Sequence, residues 1–217
     1  MINICDYDLF IFDLDDTLIK TEYFHYISWK TILNMDFDYQ YYISIFHSNK
    51  KDNIKNYLIN ELKIENFNDM IERKNKFYID YITKNHSQIF MIDGAETILE
   101  TILLNKKEFV VVSNSPKCQI EFFCELFPIL KKSSKNYYRE MFTNKKPDPE
   151  CYLKVISEFP NKRMIGFEDS ITGIHSITQI DNIDTIFINK NDYYYYNYIL
   201  KNYKIMNIIE DYNNILY

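Results

Sequence analysis

Phe10-Ile11-Phe12-Asp13-Leu14-Asp15-Asp16-Thr17-Leu18 is an apolar run that ends abruptly in three carboxylates and a threonine. The run begins near Leu9, is short and β-prone, and has turn-forming Asp residues directly behind it. It reads as a buried strand that carries acid at its C-terminal end. In an extended chain residues i and i+2 share a face, so Asp13 and Asp15 can point into one crevice. Two carboxylates held that close repel each other unless a cation lies between them or one is protonated. The plainer alternative is a strand that runs into a solvated acidic turn.

Outward from this stretch the pattern changes twice. From about Lys20 to Phe90 there is no glycine or proline, and apolar residues recur at helical spacing. Tyr23, Tyr26 and Ile27 form one such set, Ile54, Tyr57, Leu58 and Leu62 another, and Ile71, Lys74, Phe77, Tyr78 and Tyr81 a third. Polar breaks near Asn34–Asp38, Ser48–Asp52 and Glu65–Asn68 divide the segment into several helices. Ser48 or Asn49 is a candidate cap for the helix that carries Ile54 and Leu58.

From Ile92 onward helices and strands alternate. A helix opens at Asp93-Gly94-Ala95 and runs to about Leu104, and Glu108–Val112 is a buried strand ending at Ser113-Asn114-Ser115-Pro116. A helix follows to about Phe127, and the short segment Glu140-Met141-Phe142 leads to Lys145-Lys146-Pro147-Asp148-Pro149. A further helix covers about Glu150–Phe159, and the strand Met164–Phe167 ends at Glu168-Asp169-Ser170. Another helix starts near Thr172, Thr185–Ile188 is a strand, and Ile205–Ile209 with Asn213–Leu216 predict a last strand and a short helix. This alternation predicts an α/β fold, a Rossmann-like parallel sheet with helices on both faces, plus an inserted all-helical segment. The expected division is 1–18 and 91–217 for the α/β core and 19–90 for the helical insertion. In open sheets of this kind ligands bind beyond the carboxyl ends of the strands. The polar clusters fall at the ends of apolar runs, so they converge on one crevice.

The totals narrow the function classes. The chain of 217 residues is long enough for a substantial core, and 47% apolar with 26% charged residues is ordinary for a globular protein. A net charge of −6 argues against a broad surface for nucleic acid. Cys5, Cys118, Cys124 and Cys151 form no Cys-x-x-Cys pair and no zinc spacing, and read as reduced, mostly structural thiols. No basic segment precedes an apolar signal region, and no apolar run approaches the length of a membrane span. These features predict a soluble, cytoplasmic protein with no nucleic-acid or membrane partner, and nothing in them sets an oligomeric state. Twenty tyrosines against 3 glycines reflect a skew toward residues with AT-rich codons. The run Tyr193–Tyr196 is read as part of that skew rather than as a stacking platform for single strands.

Asp13-x-Asp15-x-Thr17 resembles the first motif of the haloacid dehalogenase-like hydrolase superfamily. Ser113-Asn114, Lys146-Pro147-Asp148-Pro149 and Glu168-Asp169-Ser170-x-x-Gly173 are similar to the second, third and fourth, in the right order. The helical segment matches the position of the helical cap of subfamily I, and the whole resembles the β-phosphoglucomutase and phosphatase branch. The resemblance implies that Asp13 is a nucleophile, giving an acyl phosphate that water later cleaves. Asp15 would be the general acid and then the base, with Thr17 holding it through its hydroxyl. Ser113 and Asn114 would hold phosphate oxygens. Lys146 would balance the charge of nucleophile and phosphate. Mg²⁺ would be held by Asp13, the Asp15 backbone carbonyl and Asp169, with Glu168 either a ligand or an acceptor from a bound water, and Ser170 in support. No histidine is assigned a catalytic role.

The implied function is a Mg²⁺-dependent phosphohydrolase acting on a small phosphorylated metabolite. Asp15 argues against a dehalogenase, because halide departure needs no proton. The alternatives are a sugar phosphomutase and a catalytically silent binding domain. A mutase of that branch carries an arginine loop in the cap, where this chain has Phe46-His47-Ser48-Asn49-Lys50-Lys51-Asp52. Lys50 can stand in for arginine as a point charge but not as a bidentate fork, and the phosphatase reading is preferred.

Overall fold

The computed structural model describes residues 2–46, 51–188, 193–213 and 215. The chain divides into two compact units, Met1–Ile19 with Met91–Tyr217, and Lys20–Phe90. Strand β1, Leu9–Phe12, is fully buried along its length and is the centre of the first unit.

The second unit is helical: α1 (Glu22–Leu33), α2 (Tyr39–Ile45), α3 (Lys51–Asn56) continued by a π-helical turn at Tyr57–Glu61, and α4 (Phe67–Lys84). Its breaks have local causes. Asn34 ends α1 in the left-handed region at φ 51. The Asp38 carboxylate accepts from Tyr41 N to cap α2, and Asn66 accepts from Asp69 N to cap α4. Trp29, Phe37, Tyr42, Phe46, Leu58, Phe67 and Met70 form its core. Lys74 lies on the buried stripe of α4. Its ammonium is 2.7 Å from His25 Nδ1 and sits over the rings of Trp29 and Tyr78. The predicted caps Ser48 and Asn49, and the loop residues His47 and Lys50, lie outside the described residues.

The first unit resumes with α5 (Ala95–Leu104), β2 (Glu108–Val112), α6 (Lys117–Leu126), β3 (Lys135–Tyr137), α7 (Glu150–Glu158), β4 (Met164–Glu168), α8 (Ile171–Ile177), β5 (Ile183–Ile188), α9 (Tyr193–Asn202) and β6 (Asn207–Ile209). The six strands form one sheet in the order β3-β2-β1-β4-β5-β6, and every pairing is parallel. This is the predicted Rossmann-like α/β fold. The chain runs outward from β1 through β2 to β3, then crosses back to place β4 on the other side of β1. The direction of winding therefore reverses at β1, and in sheets of this kind ligands bind beyond the carboxyl ends of the strands at that point.

Two elements were not foreseen. β3 is an edge strand with only Tyr137 fully buried, so Lys135-Asn136-Tyr137 shows no apolar run. α9 covers the segment read as compositional skew, whose tyrosines hide helical spacing. Of the predicted terminal helix Asn213–Leu216, Asn214 and Leu216 lie outside the described residues. All four cysteines are free, Cys5 and Cys118 exposed, Cys124 and Cys151 buried. Among the described residues no helix is long and apolar enough to cross a membrane.

Candidate active site

Strand β1 stops at Phe12, and the acidic stretch after it forms a tight turn rather than extended chain. Leu18 N and Ile19 N both donate to Leu14 O, and Asp16 takes a positive φ of 56. Asp13 is the first residue beyond the strand, and its N–H donates to Phe167 O on neighbouring β4. Asp13 and Asp15 therefore owe their placement to this turn and not to a shared strand face.

A lysine ammonium lies at the centre. Lys146 Nζ donates to Asp13 Oδ1 at 2.7 Å, Glu168 Oε1 at 2.6 Å and Val112 O at 2.7 Å. Three donors thus meet three acceptors, drawn from the ends of β1, β4 and β2. Asn114 fixes the lysine from behind: its amide accepts from Lys146 N at 3.2 Å and donates to Lys146 O at 3.3 Å. The peptide bond from Lys146 to Pro147 is cis. Burial disfavours the ammonium, but Asp13 and then Glu168 outweigh it and hold the Lys146 pKa well above the usual lysine value. Burial also lifts the Asp13 carboxyl well above its ordinary range; Lys146 opposes that rise, while Glu168 and Asp15 add to it.

Glu168 is wholly buried, and its Oε1 also accepts from Tyr152 OH at 2.5 Å. Its other oxygen faces Gly173, where an added Cβ would lie 1.8 Å away, so glycine is required at that turn of α8. Ser170 caps α8 by accepting from Gly173 N at 3.0 Å. Burial, then the Glu168 charge, raises the Tyr152 pKa well above the usual phenol value, with Lys146 opposing.

Two expected contacts take a different form. Thr17 Oγ1 donates to Asp169 Oδ1 at 3.2 Å, rather than serving as the holder of Asp15. Asp15 is held from the β2–α6 loop and the first turn of α6 instead: Ser115 Oγ donates at 2.6 Å, Gln119 Nε2 at 3.0 Å and Ser113 Oγ at 3.5 Å. The turn that follows β1 takes Asp15 to the residues beyond the end of β2 and the Thr17 hydroxyl to Asp169. Ser113, 2% exposed, also accepts from Ser115 N.

Asp13, Glu168 and Asp169 each offer one oxygen to a group within 4.8 Å of one another, the one such cluster among the described residues. The donors are all hard carboxylate oxygens, and the set fits Mg²⁺ better than a softer metal. Sequence reasoning missed Ser115, Gln119 and Tyr152. Gln119 and Tyr152 lie on buried helix faces where spacing alone reads them as core. Ser115 was visible beside Ser113 without a signal for its partner.

A doubly wound parallel sheet with carboxylates and a buried lysine gathered at the reversal point of its strands defines an α/β protein with an acidic site at that point. The sequence matches the family described as haloacid dehalogenase-like hydrolase over residues 10–188, and the chain belongs to that family. No curated protein matches the sequence. Among solved structures, a HAD hydrolase of family IA, variant 3, from Entamoeba histolytica is similar, with TM-score 0.78 and 22% identity over 96% of this chain and 95% of that one. A predicted phosphoglycolate phosphatase from Haemophilus somnus superposes with TM-score 0.75 at 16% identity, covering 97% and 96%. A β-phosphoglucomutase from Clostridium difficile gives TM-score 0.71 at 23% identity, covering 96% and 93%. At such identities the likeness is one of fold.

Proposed function

We propose that the protein is a phosphatase, hydrolysing a small phosphorylated metabolite through a phosphorylated Asp13. The observation that supports this most is the Lys146 ammonium shared between Asp13 and Glu168 at the head of β1. An anionic nucleophile can approach an anionic phosphoryl group only where such charge is balanced. Because the three lysine protons already have acceptors, Lys146 acts on the phosphoryl group as charge rather than as a hydrogen-bond donor.

In this reading an Asp13 oxygen attacks phosphorus, and the bond from phosphorus to the leaving oxygen breaks. Asp15 gives its proton to that oxygen. Water then attacks the phosphorus of the acyl phosphate; Asp15 takes the water proton, and Asp13 is released with inorganic phosphate. Ser115 and Gln119 orient Asp15 for both transfers, and Thr17 orients Asp169. Ser113 and the backbone around Asn114 receive phosphate oxygens, while the Asn114 side chain positions Lys146. Asp13 and Asp169, with Glu168 adjoining, would hold Mg²⁺, which supplies positive charge to the phosphoryl oxygens when bound. The insertion of residues 19–90 is proposed as the cap that sets substrate preference. The choice against a phosphomutase turned on His47 and Lys50, outside the described residues, and no described contact favours the mutase.

The test is phosphate release from an aryl phosphate and a metabolite panel, with Mg²⁺ or with EDTA, for wild type and Asp13→Asn. Turnover that needs Mg²⁺ and falls at least about a thousandfold in the variant is expected, since the nucleophile itself is lost. Release of equal size in both proteins would defeat the reading.

A further inference from the structure

Tyr212 lies beyond the stretch that matches the family, in the segment after β6, yet it is buried under the site. Its ring packs against Phe12 and Phe167, with centroids 5.9 and 5.7 Å away. Phe12 immediately precedes Asp13, and Phe167 immediately precedes Glu168 and Asp169. Its hydroxyl donates to Thr17 O at 3.1 Å, and Thr17 Oγ1 in turn donates to Asp169 Oδ1 at 3.2 Å.

The segment is seated by backbone contacts. Tyr212 N donates to Asp93 O at 2.9 Å, and Ile2 N donates to Ile215 O at 2.8 Å. Gly94 makes room for it: at φ +77, a Cβ there would lie 2.8 Å from Tyr212 C and 2.9 Å from Asn213 N. Helix α5 can therefore start only if the residue before it carries no side chain. The cradle at Gly94 and the packing of the Tyr212 ring together bring one hydroxyl to one carbonyl of the acidic turn.

We infer that Tyr212 is a positioning residue for the divalent cation. By fixing the Thr17 carbonyl it holds the turn so that the Thr17 hydroxyl meets Asp169, which keeps that carboxylate aimed at the cation. The inference rests on the Mg²⁺ site of the proposed function. A carboxylate anchored by hydrogen bonds loses less freedom on binding the ion, as in other sites where the surroundings of a ligand set its affinity. The residue touches neither substrate nor cation.

The experiment is Mg²⁺ titration by calorimetry and by the Mg²⁺-dependent rise in melting temperature, with no substrate present. Tyr212→Phe keeps the ring and removes the hydroxyl. Its Mg²⁺ dissociation constant should rise about three- to tenfold, the scale of one buried hydrogen bond. The cation-free melting temperature should move much less than for Tyr212→Leu. Thr17→Val breaks the next link with the tyrosine intact, and should weaken Mg²⁺ binding similarly without adding to Tyr212→Phe in the double variant. Unchanged Mg²⁺ affinity in Tyr212→Phe, or in Thr17→Val should the former fail to fold, overturns the inference alone. A wild type that binds no Mg²⁺ overturns the cation site and the inference together.

Discussion

Lys146 in the α/β unit and Lys74 in the helical unit are buried alike, each 7% exposed, and the two regions accommodate their ammonium groups by different means. Lys146 is surrounded by charge: two carboxylates and a carbonyl accept its three protons. Lys74 lies over two rings, with its nitrogen 5.1 Å from the Tyr78 centroid and 5.8 Å from that of Trp29. His25, stacked on Tyr78 at 4.1 Å, adds a ring nitrogen that accepts only while unprotonated. Burial of a lysine therefore does not identify a reactive site. A carboxylate network holds its members in fixed positions by strong directional bonds. Ring faces offer weaker and broader attraction.

The largest difference should appear on removing each ammonium. Lys146→Met leaves Asp13 and Glu168 without their shared cation, and should cost about 3–5 kcal/mol of stability and abolish phosphate release. Lys74→Met keeps an apolar stem between the rings; the ring contacts it loses are worth about 0.5–2 kcal/mol, and the bond to His25 Nδ1 is lost with them. Urea unfolding of both variants checks this. A loss below about 1 kcal/mol for Lys146→Met would mean that the carboxylates around Lys146 are relieved by protonation or by water, and the comparison would fail.

The next effect concerns close approach. The helical unit has no glycine between Lys20 and Phe90, whereas the α/β unit places Gly173 against the Glu168 carboxylate. Gly173→Ala should cost about 1–3 kcal/mol by overpacking and should lower turnover, because Glu168 must move and Lys146 moves with it. A crystal structure of the variant with Glu168 in place and normal activity would show that α8, not the site, yields.

How much of this was legible depended on chemistry repeating along the chain. β1, β2 and β4 are continuous apolar runs ending in polar residues, so strand and site were read together. Lys146 was marked by Pro147, and Asp169 by its neighbours. Lys74 had no such marker and fell on the apolar stripe of α4 as one more periodic position. β3 was missed because a polar edge strand has no apolar run, and Lys135 and Asn136 are the reason. The partners of Asp15 were missed for another cause. Period-2 spacing assumed extended chain, but the turn beyond Phe12 sends Asp15 to Ser115 and Gln119. Contacts that depend on where a turn exits are set by tertiary structure and leave no local trace.

The smallest expected effect lies in the loop that delivers Lys146. Glu150, at the start of α7, accepts from Thr143 N at 2.8 Å and Asn144 N at 2.7 Å. These two backbone bonds, that from Thr143 first, hold its carboxyl below the usual glutamate value. The ionised form is therefore favoured in the folded state. Its contribution to stability is complete above the unfolded glutamate pKa of about 4.3, and is lost as pH falls through the lower folded value. Asp36 in the helical unit follows the same sign through its bond to Lys30, 2.6 Å away, and that pair ties the loop between α1 and α2 back to α1, far in sequence from Lys146. Glu150→Gln keeps one acceptor and loses the charge. Its melting temperature should lie slightly below wild type at pH 7, change less between pH 5 and pH 3, and meet the wild-type curve at the acid end. Hydrogen exchange should place the change at the amides of residues 143–146, whereas Asp36→Asn should leave those amides untouched. Parallel melting curves for Glu150→Gln and wild type down to pH 3 would mean that water replaces the carboxylate at the two N–H groups, and that the loop carrying Lys146 is held by its other contacts, from Asn114 to Lys146 and from Ser176 Oγ to Asp148 O.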